Sequence, residues 1–199
     1  MHNDKKFTGS HVLITGAARG IGFEIARQFA REGAILSLLD FNRDMLAGAT
    51  LALQEEGARV YSYFTDVADF GMVQDSVSAA EKIQPVDILI NNAGIAFETP
   101  FLSISEKEWK QILDINLTGM FYVAQAVCRN MAERKKGVVV NMSSKNGMAA
   151  EFGYAHYNAS KAAIIMLTNT MAVELAHLNI RFNAVCPGYI STPMSIEID

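Results

Sequence analysis

The chain has only two cysteines, Cys128 and Cys186, and neither belongs to a CxxC pair or to a Cys/His ligand pattern. That excludes a disulfide framework and a zinc site as organising devices, and it predicts buried free thiols, no bound metal and a reducing, cytoplasmic setting. Charge of one sign is also missing: no Lys/Arg run stands out, and a net charge of −4 offers no footprint for nucleic acid. No apolar run approaches the length of a membrane span. The opening MHNDKKFTGS carries two lysines without the apolar stretch of a signal peptide. Internal repeats, low-complexity tracts and linkers are absent as well. What remains is a 199-residue chain, half of it hydrophobic, which suits one domain over residues 1–199 with a substantial core.

Short apolar runs and amphipathic segments alternate along that domain. Strands are predicted over residues 11–14, 34–39, 58–64, 86–90, 137–141 and 180–185. Helices are predicted over 23–33, 42–56, 69–83, 105–134 and 156–178. No hairpin dipeptide joins two strands directly, so the connections are crossovers and the sheet is a doubly wound parallel α/β sheet. The helix over 156–178 is apolar almost all round, which calls for cover beyond the sheet, and a homo-oligomeric interface is the natural cover.

The first strand runs directly into Thr15-Gly16-Ala17-Ala18-Arg19-Gly20-Ile21-Gly22 and then into a helix. Strand, glycine turn and helix in this order form the context of a dinucleotide fingerprint, here spaced G-x-x-x-G-x-G. Gly16 permits the tight turn, Gly20 lets backbone approach a pyrophosphate, and Gly22 lets the helix lie close on the sheet. Asp40 ends the second strand, eighteen positions after Gly22, where a carboxylate can accept from ribose hydroxyls and repel a 2′-phosphate. It argues for NAD over NADP; Arg19 argues the other way, and a helix-capping role for Asp40 stays open. Asp66 follows the third strand and either accepts from an adenine amino group or caps the next helix. Asn91-Asn92-Ala93-Gly94 ends the fourth strand, where small residues and amides let backbone approach a flat ring and tie strands together.

Tyr157 and Lys161 stand four residues apart, on one helix face. An ammonium beside a phenol favours the phenolate, yet bringing a tyrosine from near ~10 to near ~7 takes about 4 kcal/mol, more than an exposed lysine supplies. A second positive source is therefore expected, such as an oxidised nicotinamide ring. Ser143 and Ser144 follow the apolar run of the fifth strand, where a hydroxyl could hydrogen-bond a reacting oxygen. Asn116 is an isolated amide in an apolar helical stretch, either a satisfied core group or a local distortion that holds a water near the lysine.

With these residues in view, the sequence resembles the classical short-chain dehydrogenase/reductase family over essentially its whole length. The resemblance implies a Rossmann-type, three-layer α/β/α fold. It implies a tetrad of Asn116, Ser144, Tyr157 and Lys161, with Ser144 preferred over Ser143 because it precedes the tyrosine by thirteen residues. Tyr157 would exchange the alcohol proton, Lys161 would bind the nicotinamide ribose, Ser144 would orient the substrate oxygen and Asn116 would anchor a water. Cofactor contacts are implied for Gly16, Arg19, Gly20, Ile21, Gly22, Asp40, Asp66, Val67, Asn92, Ala93, Gly94, Pro187, Gly188, Ile190 and Thr192, besides Tyr157 and Lys161. Family members continue past the Pro187-Gly188 segment into a substrate-covering lid, another helix and a last edge strand, so this chain is expected to lack that C-terminal part.

The expected pocket wall comprises Ala96, Phe97, Lys145, Asn146, Phe152, Tyr154, His156 and Tyr189, and the polar pair after Ser144 points to a polyol, sugar or hydroxy acid. Three functions follow: an NAD-dependent dehydrogenase of a small polar secondary alcohol, an NADPH-dependent carbonyl or 3-oxoacyl reductase, and a non-catalytic nucleotide-binding assembly protein.

Overall fold

A computed structural model describes residues 5–191. Six strands, β1 (His11–Thr15), β2 (Ile35–Asp40), β3 (Arg59–Phe64), β4 (Ile88–Asn91), β5 (Gly137–Met142) and β6 (Ile180–Val185), form one parallel sheet in the order β3-β2-β1-β4-β5-β6. Between them run α1 (Gly20–Arg31), α2 (Arg43–Glu55), α3 (Phe70–Ile83), α4 (Glu106–Leu113), α5 (Met120–Arg134) and α6 (Ala155–Leu175). The strand order reverses between β1 and β4, and a crevice opens at the carboxyl ends of the strands on either side of that point.

Alternation along the central strands divides the core between the two faces. Val12, Ile14, Leu36 and Leu38 pack toward α1 and α2, whereas Leu13, Leu89, Val139 and Phe182 pack toward α3, α5 and α6. The core strands are buried on both faces, hence their continuous apolar runs. On α6 that burial is one-sided: Ile164 is buried, but Met166 and Val173 stand 65% and 81% exposed.

Two helices differ from expectation. The segment read as one helix over 105–134 is α4, a π-helical turn at Asp114–Gly119, and α5, with Asn116 inside the turn. The helix over 156–178 closes as α6 with a 3-10 turn at Ala176–Leu178. At the helix ends Asn42 accepts from Met45 N and Asp69 from Met72 N, while Gly33 and Gly57 take positive φ beyond their helices. Among the described residues, no helix is long and apolar enough to cross a membrane, and no group of three or more His, Cys, Asp or Glu side chains is placed to hold a metal.

Candidate active site

The turn between β1 and α1 is built from backbone against backbone. Gly16 and Gly20 adopt φ of +62° and +59°, a region that side chains disfavour. A Cβ on Gly22 would sit 2.1 Å from the Gly16 carbonyl oxygen, so this glycine lets the helix start rest on the turn itself, rather than on the sheet as expected. Asn92 reinforces the turn, its Nδ2 donating to the carbonyls of Thr15 and Gly16 at 3.1 and 3.0 Å. Thr15 Oγ1 accepts from the amides of Asn92 and Ala93, a lock between β1 and β4 that spacing alone did not reveal. Arg19 occupies the N-cap position of α1 in extended conformation.

Asp40 is buried, with Oδ2 accepting from Ala18 N at 3.0 Å and Oδ1 from Asn42 N at 2.9 Å. It therefore aims at the glycine turn, and the capping of α2 falls to Asn42. Asp66 is exposed and accepts from Ala68 N, leaving the α3 cap to Asp69; Val67 is buried, its side chain packed where Gly119 has no Cβ. Ile21, Pro187 and Ile190 line an apolar cavity of about 680 Å³ with Phe7 and Phe29. Gly188 follows Pro187 in the same exposed segment. Thr192 lies outside the described residues.

At the carboxyl ends of β4 and β5 the tetrad candidates converge. The Ser144 hydroxyl, which accepts from Asn146 N at 3.2 Å, lies close enough to the Tyr157 phenol to lower its pKa. Ser143 is turned inward, donating to the Lys161 carbonyl at 2.7 Å. Lys161 is buried, its Nζ donating to the Met142 carbonyl at 2.9 Å and lying 5.5 Å from the Tyr157 ring centroid. A Cβ on Gly94 would meet Asn116 Oδ1 at 3.2 Å and Lys161 Nζ at 3.4 Å, so this glycine is the small residue between amide and amine. Asn116 combines both of its readings: it sits in the π turn, and its amide is satisfied by the Ile95 backbone and by Ser160.

The electrostatics correct one expectation. Burial raises the Tyr157 hydroxyl above its ordinary value; the Ser144 hydrogen bond lowers it and nearby Glu151 raises it further. The Lys161 ammonium lies over the Tyr157 ring and donates to the Met142 carbonyl. Lys161 is itself brought down to about 8, chiefly by burial. The expected pocket wall also changes. His156 and Asn146 are buried, and Lys145 pairs with Glu151 at 3.2 Å. Of the thiols, Cys128 is buried and pushed up to about 12 by desolvation, whereas Cys186 is only partly buried.

The chain matches the short chain dehydrogenase family over residues 10–199. It belongs to that family. Oxidoreductase UcpA of Salmonella typhimurium is 46% identical over 195 residues, which cover 97% of this chain and 74% of the relative. An NAD⁺-bound xylitol dehydrogenase structure superposes with a TM-score of 0.91 at 39% identity, covering 94% of this chain and 73% of the other. A gluconate 5-dehydrogenase from Burkholderia cenocepacia, in complex with NADP and tartrate, gives 0.92 at 34% identity, covering 96% and 76%. This short-chain dehydrogenase is thus an NAD(P)-dependent oxidoreductase acting on CH–OH or C=O groups, and it spans about three quarters of the length of these relatives.

Proposed function

We propose that the chain interconverts a small polar secondary alcohol and its ketone, a polyol or sugar acid being the substrate class, with NAD as the preferred cofactor. The observation that carries this reading is the convergence of the Ser144 hydroxyl, the Tyr157 phenol and the Lys161 ammonium at the carboxyl ends of the central strands, beside the glycine turn. The residues fit a dinucleotide. Gly16 makes the tight turn, Gly20 leaves backbone open to a pyrophosphate, and Asp40 lies against the turn where ribose hydroxyls need an acceptor. Bound NAD supplies a hydride acceptor and a positive charge.

The chain's own residues do the rest. Ser144 orients the substrate oxygen and steadies the phenolate through its hydrogen bond. Tyr157 takes the alcohol proton in oxidation and returns it in reduction; its raised pKa keeps it protonated at neutral pH, ready as the donor. Lys161 holds the ribose, and Asn116 maintains the π turn that shapes the lysine's surroundings.

The preference for NAD rests on the Asp40 carboxylate, which repels a 2′-phosphate; Arg19 favours the alternative of an NADPH-dependent carbonyl or 3-oxoacyl reductase. The xylitol and gluconate named for the structural neighbours support a polar substrate. We place the protein in the cytoplasm and assign the exposed Met166 and Val173 face of α6 to a second copy of the chain. A screen of NAD and NADP reduction against sugar alcohols, sugar acids and acyl alcohols tests the reading. Turnover of a polyol or aldonate with NAD supports it; tight NADPH with turnover of acyl substrates alone overturns it.

A further inference from the structure

The helix that carries Tyr157 and Lys161 begins without a side-chain cap at Tyr154. A helix start leaves four amide hydrogens in need of partners, and Tyr157 N–H is among them. It donates to Nδ1 of His156, the preceding residue, at 3.0 Å. A ring nitrogen that accepts carries no hydrogen, so the neutral imidazole bears its proton on Nε2. That nitrogen lies 3.4 Å from Glu108 Oε1. Glu108 is in turn fixed by the Thr99 hydroxyl, and its carboxyl is held below the usual range by Thr99 first and His156 next. The other side of the Tyr157 peptide is also held: Ser160 Oγ donates to its carbonyl at 2.8 Å and accepts from Asn116 Nδ2 at 3.2 Å.

We propose that His156, locked in its Nε2–H tautomer by Glu108, is a positioning residue that sets the backbone of Tyr157 and thereby the approach of the phenol to Ser144. His156 is fully buried and adjoins Tyr157 in sequence, so its ring serves the tyrosine's peptide rather than the substrate. The inference rests on the proposed role of Tyr157, and it gives α4 and the segment after β4 a part in the site: they supply the carboxylate that chooses the tautomer.

Two substitutions separate the halves of the device. His156→Asn keeps an acceptor near the Nδ1 position, whereas His156→Gln keeps only a donor toward Glu108. His156→Gln is expected to lower kcat about tenfold with KM for the cofactor unchanged, and His156→Asn to stay within about threefold of the parent, the scale of losing or keeping one helix-start hydrogen bond. Equal losses in both variants, or a loss confined to cofactor KM, overturn the proposal. A readout without turnover stands beside it. Long-range proton–nitrogen spectra should show the Nε2–H tautomer, and the Tyr157 amide should resist hydrogen exchange in the parent and in His156→Asn but not in His156→Gln. An Nδ1–H tautomer, or protection unchanged in His156→Gln, overturns it even where no alcohol is turned over, an outcome that would count against the functional reading alone.

Discussion

The two halves of the crevice are built on opposite principles. Around Gly16 and Gly22, backbone lies on backbone and the constraint is steric, with no room for one methyl group, while Gly20 is held by its positive φ. Around Tyr157 and Lys161, side chains meet in a desolvated corner and the constraint is electrostatic: both groups titrate away from their ordinary values because water has been removed. The first half should therefore fail abruptly on substitution, and the second should respond in a graded way to pH and charge.

The electrostatic half offers the largest effect. Tyr157→Phe removes the hydroxyl proposed to transfer the proton and is expected to cut kcat by about a thousandfold, while the dissociation constant for NAD, read by fluorescence titration, changes little. A variant that kept its rate would show that the corner is only structural.

Lys161 gives the next effect, in stability. Its pKa falls from 10.5 in the unfolded chain to about 8 in the fold, so below about 8 the folded state bears the cost of a buried ammonium. That cost disappears as pH rises through the window between the two values, because the unfolded chain then holds the extra proton. The unfolding free energy should therefore rise by about 3 kcal/mol across the window relative to Lys161→Met, measured by denaturant titration at each pH.

The steric half is probed by Gly22→Ala. Its Cβ would lie against the Gly16 carbonyl, which cannot give way as a flexible side chain would, and a loss of about 2 kcal/mol in stability is expected together with loss of NAD binding. Undiminished binding would show that the turn can open. The smallest effect belongs to Asp40→Asn, which keeps an oxygen for Ala18 N and removes the charge. The ratio of NADP to NAD affinity should rise about tenfold, or ~1.4 kcal/mol.

The steric half was also the more legible in the sequence. Glycines and strand ends are local signals, so the turn, the six strand positions and the doubly wound parallel sheet follow from spacing and chemistry. The electrostatic half depends on how deeply groups are buried and where an ammonium points, which no spacing encodes. Tyr157 and Lys161 could be paired on one face, but the aim of the amine at the Met142 carbonyl and the burial that raises the phenol emerge only from the folded chain. The π turn and the Glu108–His156 contact were hidden for the same reason. An isolated Asn116 in an apolar run hints at irregularity, whereas a contact between residues 48 apart leaves no local trace.

In the proposed reaction Tyr157, raised by burial in the free protein, becomes the proton carrier once positive charge arrives beside it. Titrating phenolate absorbance by ultraviolet difference, with and without saturating NAD, tests this most directly. A tyrosine transition is expected that moves to lower pH with NAD and is missing in Tyr157→Phe; a transition that NAD leaves in place, or that persists in the variant, would contradict that role for Tyr157.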